Sequence, residues 1–112
     1  MSPEEVRALL DAQRADAMAR LAGLQDSKDD LVDAARDSNV DDEHDPEGAT
    51  IAFERAQVDA LAADVARRLA EIDAAESRLE DGTYGICLVG GEPISDERLA
   101  ARPTATTCVA HS

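Results

Sequence analysis

Two cysteines and a histidine near the end of the chain carry the spacing with the clearest chemistry. Cys87 is followed, after two intervening residues, by Gly90, and Cys108 in the same way by His111, with 17 residues between Gly90 and Cys108. A pair of Cys-x2-Cys knuckles is how proteins close four ligands around a structural zinc ion. Here Cys87, Cys108 and His111 are zinc-ligating types, while Gly90 has no side chain to offer. Three protein ligands with a water is the pattern of a catalytic zinc, so a structural site would need a fourth group. Glu92, His44 or a thiol from another chain would complete the set, and the sequence prefers none of them. Zinc is therefore a candidate cofactor of an incomplete site. The surrounding module, about 30 residues long, has Tyr84, Ile86, Leu88, Val89, Ile94, Leu99 and Val109 as its candidate core and is small to fold without a staple. Docking against the preceding helix through Leu79 is the metal-free alternative. A Cys87–Cys108 disulfide is a third, opposed by a reducing compartment.

Other chemistry is poorly supported. No nucleophile stands beside a base: His44 lies in an acidic loop, and the Cys108/His111 pair is better explained as ligand spacing. The acidic loop offers no acid/base pair on a rigid scaffold, so the chain is not expected to be an enzyme. Twenty-five acidic against 11 basic residues give a net charge of −14, a field that repels phosphate backbones. Direct sequence-specific nucleic-acid binding is disfavoured, and a basic or metal-containing partner is favoured. The start, MSPEEVRALL, lacks the basic opening and apolar core of a signal peptide, and no apolar run is long enough to span a bilayer, so a cytoplasmic location is expected.

The elements that must carry these residues are helices. Phe53 and Tyr84 are the only aromatic residues, and alanine is abundant, which suits long helices better than a sheet-built core. Ser2 is placed as an N-cap, with Pro3 at the first helical position and Glu4 and Glu5 in the first turn. From there to about Asp37, Leu10, Ala17, Leu24 and Leu31 recur every seven residues, flanked by Val6, Leu21 and Ala35. A second segment, about Gly48 to Glu80, repeats Ile51, Val58, Val65, Ile72 and Leu79 at the same interval, flanked by Leu61, Leu69 and Ala75. Sustained heptads predict a coiled coil. Two seams of similar length around a short polar break predict an antiparallel hairpin within one chain, and hence a monomer, in preference to a parallel dimer. Gln13, Arg20 and Lys28 on the first helix, and Glu54 and Arg68 on the second, are weak points of the seam or sit at its edge with their stems folded along it.

The break, DSNVDDEHDPEG, holds Asp37, Asp41, Asp42, Glu43, Asp45 and Glu47 without a basic residue. Pro46 and Gly48 supply turn chemistry, and Asp45 is the candidate N-cap of the second helix. Such a loop is either simply solvated or, on a stiff support, aimed at a metal ion or at a cavity lined by Arg and Lys. EF-hand spacing is not matched. After Leu79, Asp81-Gly82 marks a turn, Tyr84 to Leu88 is a candidate short strand, and SDERLAAR has room for one helical turn.

The stretches LEDGTYGIC and GEPISDERLAARPTATTC resemble the C-terminal zinc finger of the DksA/TraR family of bacterial transcription regulators, over about Arg78 to His111. The hairpin with an acidic tip ahead of it is similar to the rest of that family's architecture. The resemblance implies a mainly α fold: an antiparallel coiled-coil hairpin over residues 1–80, with its tip at about 37–48, and a degenerate zinc-ribbon-like module over 81–112. It implies a regulator that binds RNA polymerase, with the hairpin in the secondary channel and the module as the grip outside. Asp42 and Asp45 have the spacing of the family's paired tip aspartates, Asp41 lies beside them, and Glu47 stands where alanine is usual. Cys87, Cys108 and His111 fall on ligand positions. The sequence ends one residue past His111, so the helix that follows the finger in the family, and any ppGpp-dependent function built on it, are not expected. Two alternatives stand beside this reading: a coiled-coil interaction or assembly protein of the same ancestry that no longer acts on RNA polymerase, and a zinc store using Cys87, Cys108 and His111.

Overall fold

The computed structural model of the chain describes residues 1–38 and 46–111. Asp41, Asp42, Asp45, His44 and the side chain of Glu47 lie outside the described residues, so the tip assignments are neither supported nor opposed by it. Helix α1 runs over Pro3–Ser38, α2 over Pro46–Asp81 and α3 over Asp96–Ala101, and a 3-10 turn follows at Val109–His111. The N-terminus of α1 is capped as its sequence suggests, the Glu5 N–H donating to Ser2 Oγ at 3.2 Å. Proline opens α2 at Pro46, where a missing N–H costs nothing. Its other end is closed by a Schellman turn. Gly82 takes φ of +78°, and the Thr83 N–H returns to the Arg78 carbonyl at 2.9 Å. None of the described helices is long and apolar enough to cross a membrane.

Helices α1 and α2 form an antiparallel hairpin, and their packing divides into two compact units, Ala17–Arg67 and Met1–Asp16 with Arg68–Ser112. In the first unit Ala17 and Val65 are buried, and Leu21, Leu24, Leu31 and Ala35 of α1 and Ile51, Val58 and Ala62 of α2 are half-buried. The heptad stripe is thus the covered face, since apolar area leaves water only there. Lys28 sits half-buried on this stripe, and its ammonium reaches Asp59 at 2.9 Å. Gln13, Arg20, Glu54 and Arg68 are exposed, and Leu61 is 37% exposed, so these five stand off the seam. The long cation that does lie on it in the second unit is Arg14, bonded to Asp73 and Glu76 at 2.7 Å each. The hydrogen bonds to Glu76, then Asp73, raise the pKa of its guanidinium.

The unit containing the chain ends has two clusters of buried residues. One joins Val6 and Leu10 of α1 to Ile72 and Ala75 of α2, with Leu79 and Tyr84 against it. The other consists of Cys87, Ile94, Leu99 and Ala105, with Tyr84 and Cys108 against it. Tyr84 packs on both, and its hydroxyl donates to the Pro103 carbonyl at 2.7 Å. The candidate core of the module needs correction here. Ile94 and Leu99 are buried, but Ile86 is 41%, Leu88 69%, Val89 66% and Val109 70% exposed. For Leu88 and Val89 the reason is the turn at Cys87, whose carbonyl accepts from the Gly91 N–H at 2.9 Å. With Cys87 inward, Leu88 and Val89 ride the outside of the turn. The same turn leaves no length for the strand expected over Tyr84 to Leu88: among the described residues there is only an isolated antiparallel bridge between Ile86 and Pro93.

Helix α3 is short but firmly set. Ser95 Oγ accepts from the Arg98 N–H at 3.2 Å, Leu99 is buried, and Arg98 Nε donates to the Thr107 carbonyl at 2.7 Å. Replacing Tyr84 tests whether one ring serves both clusters. Tyr84→Ala is expected to lower unfolding stability by about 2–4 kcal/mol, toward the range for large aromatic truncations. Tyr84→Phe, which leaves the Pro103 carbonyl without its donor, is expected to cost about 1 kcal/mol. Urea denaturation midpoints check both, and an Ala variant with the wild-type midpoint would refute the shared role.

Candidate metal centre

The chain approaches this centre from two turns. The first is closed twice, by the Gly91 N–H on the Cys87 carbonyl at 2.9 Å and by the Cys87 N–H on the Glu92 carbonyl at 2.8 Å. Gly91 makes the reversal with φ of +78°, a conformation that costs a residue with a Cβ. The second is the 3-10 turn, where the His111 N–H donates to the Cys108 carbonyl at 3.1 Å. The Leu88 N–H, donating to the Thr106 carbonyl at 2.9 Å, ties the two segments together.

These turns bring Cys87, Cys108 and His111 to one point, as their spacing suggests, and add Glu92. The ligand atoms of the four residues all lie within 4.8 Å of one another. His111 Nδ1 is 3.4 Å from Cys87 Sγ, 3.0 Å from Cys108 Sγ and 2.7 Å from Glu92 Oε1. The Cys108 thiol donates to Glu92 Oε1 at 2.7 Å. Cys87 is 1% exposed, whereas the Glu92 and His111 side chains are 40% and 34% exposed, so the group is closed on its thiol side and open on its carboxylate side. Both cysteines are free thiols.

The electrostatics is that of a group sharing protons. Burial pushes the Cys87 thiol up, but hydrogen bonds from the backbone at Gly90, Cys108 and Val89 and from the His111 ring outweigh it and bring it down to about 7. The hydrogen bond to Glu92, then burial, raises Cys108. His111 is raised, its bond to Cys87 and the charge of Glu92 outweighing burial, and Glu92 is lowered, chiefly by the Cys108 thiol.

The donor set fits zinc: two sulfurs, one imidazole nitrogen and one carboxylate oxygen are all types that zinc accepts. Tetrahedral bonds of about 2.0–2.3 Å place neighbouring ligand atoms roughly 3.3–3.8 Å apart, so the contacts between 2.7 and 3.4 Å must open, by up to roughly 0.8 Å, around an ion. Such an ion would act structurally, linking the two turns; the chain's own residues supply the convergence. The set still has only two cysteines, and Gly90 offers no ligand. Of the three groups that would complete it, Glu92 is the one brought in, while His44 lies outside the described residues. Sequence alone had no means of choosing Glu92, because the choice depends on the space left at position 90.

The profile described as the prokaryotic dksA/traR C4-type zinc finger matches residues 82–110. Over 71 residues the chain is 42% identical to the uncharacterized protein YteA of Bacillus subtilis (strain 168), covering 63% of this chain and 30% of that one. Over 41 residues it is 56% identical to the RNA polymerase-binding transcription factor DksA of Caulobacter vibrioides, covering 37% and 29%. The matched stretches thus span under a third of the length of these curated relatives. Among solved structures, transcription factor DksA2 from Pseudomonas aeruginosa superposes with a TM-score of 0.82 at 32% identity, covering 97% of this chain and 78% of that chain.

Zinc binding to this group must displace the thiol proton of Cys108 and compete with protons on His111, so affinity is expected to fall as pH drops from about 8 to about 6, with protons released on binding. Titration calorimetry in buffers of differing ionisation enthalpy reads the proton count. Binding of zinc without proton release would refute coordination by these residues.

Proposed function

The chain belongs to the DksA/TraR family, and from that premise we propose that it is a bacterial transcription regulator that binds RNA polymerase. The observation that carries this reading is the shared hairpin and module, which extend over 97% of the chain in the likeness to DksA2. The likeness to the RNA polymerase-binding transcription factor DksA of Caulobacter supports the same partner. In this reading the hairpin of residues 1–80 enters the secondary channel and presents Asp42 and Asp45, with Asp41 and Glu47 beside them, toward the active site. The 81–112 module grips the enzyme outside the channel, where exposed Leu88, Val89 and Val109 give it apolar surface. A net charge of −14 favours entry into a channel lined by cations and opposes direct binding to DNA. The proposed role is regulation without catalysis by the chain itself.

A second reading rests on the helices. Phe53 is 69% and Met18 53% exposed, large apolar groups on the outer faces that an adaptor or assembly protein would use. One pair of assays separates the two. Purified protein is tested for binding to bacterial RNA polymerase and for its effect on initiation, beside Asp42→Asn/Asp45→Asn and Phe53→Ala. The channel reading expects wild type to bind, more tightly at low salt, and to change initiation, with the aspartate variant binding but inert and Phe53→Ala unchanged. No binding at low salt and micromolar protein would overturn it in favour of the adaptor.

A further inference from the structure

Gly90 stands where a knuckle of this type carries its second ligand, and its backbone does not explain the glycine. The glycines with positive φ are Gly82, Gly85 and Gly91, and Gly90 is not among them. What is unusual at Gly90 is the space beside it. A Cβ built on this residue would collide with the carboxylate of Glu92 and come within 2.5 Å of His111 Cε1. At Gly82 and Gly91, by contrast, an added Cβ meets nothing within 4 Å. The corner into which a side chain at 90 would point is filled by a side chain from two residues further on.

We propose that Gly90 and Glu92 form one exchange: the absent side chain at 90 clears the corner, and the Glu92 carboxylate folds into it as the fourth zinc ligand beside Cys87, Cys108 and His111 Nδ1. The backbone anchors the exchange, because the Glu92 carbonyl is held by the Cys87 N–H at 2.8 Å and Gly91 turns the chain so that Glu92 faces back. Its Oε1 already lies 2.7 Å from both Cys108 Sγ and His111 Nδ1. The result is a Cys2GluHis set in place of four thiolates. Carboxylate oxygen is a harder donor than thiolate, and two of the four ligands face solvent, at 40% and 34% exposure. The bound ion is therefore more exchangeable than one closed by four cysteines. This inference does not rest on the polymerase reading, since its readout is metal binding alone.

The test uses the full chain, purified without a metal-binding tag, with zinc affinity read by competition against a chromophoric chelator and stoichiometry by native mass spectrometry. Wild type is expected to bind a single zinc ion. Glu92→Gln is expected to weaken binding by at least about tenfold, the lower end for losing even an outer partner of a ligand. Gly90→Ala removes no ligand, yet is expected to weaken binding at least to the same degree, because its methyl group evicts the carboxylate and crowds the His111 ring. The double variant is expected to be no worse than Gly90→Ala alone, the non-additivity of two changes acting on one contact. No zinc on wild type, or wild-type affinity in either single variant, overturns the proposal, and so does additivity in the double variant. A measurement free of any folding defect is 13C NMR of the Glu92 carboxyl in unaltered protein. Its resonance is expected to shift on zinc addition, and an unmoved resonance overturns the assignment.

Discussion

A module of this size encloses only a small core of its own, and the ring of Tyr84 ties that core to the helices. The ring packs against both the cluster of Val6, Leu10, Ile72 and Ala75 and the cluster of Cys87, Ile94, Leu99 and Ala105. Its hydroxyl is spent on the Pro103 carbonyl, so an amphipathic side chain is buried without an orphan donor. Everything after α2 hangs from this arrangement. The Schellman turn at Gly82 delivers Tyr84 to the helices, and the turn at Cys87 then starts from a fixed point. The metal-free and metal-bound accounts of the module are therefore less opposed than they look from composition. The aromatic ring supplies the attachment, and the thiol group supplies the closure at the far side.

That closure explains why a chain with two cysteines keeps the shape of a finger built for four. Cys87 is at once a core residue, 1% exposed, and a member of the donor group. The Cys108, Glu92 and His111 side chains meet where the two turns converge, and a zinc ion held there would link the turns by directional bonds. In the proposed exchange, the corner that a side chain at position 90 would occupy is taken by the Glu92 carboxylate.

Much of the hairpin was legible in the heptads, because burying a stripe on a helix is a periodic demand and the sequence shows its period. Leu10, Ala17, Leu24 and Leu31, and Ile51, Val58, Val65 and Ile72, are all covered to some degree. The polar residues on that stripe were harder to place. Arg14 lies on the seam because Asp73 and Glu76 across the hairpin receive its guanidinium, a pairing that one helix read alone does not reveal. Gln13 and Arg20 belong to the outer face. In the module, hydrophobicity misled: Leu88, Val89 and Val109 are apolar but ride on turns whose inward direction belongs to Cys87 or to the donor group. Three donors were plain from spacing alone. The fourth was not, since whether Glu92 or another group reaches the site is settled by a rotamer and a missing Cβ.

The proposal that this hairpin works inside the secondary channel of RNA polymerase is tested by a cryo-EM structure of the two together. The α1–α2 hairpin is expected in the channel, with the segment between the helices nearest the active site and the 81–112 module on the outer rim. A complex with the hairpin lying on another surface of the enzyme, and the channel empty, would contradict it.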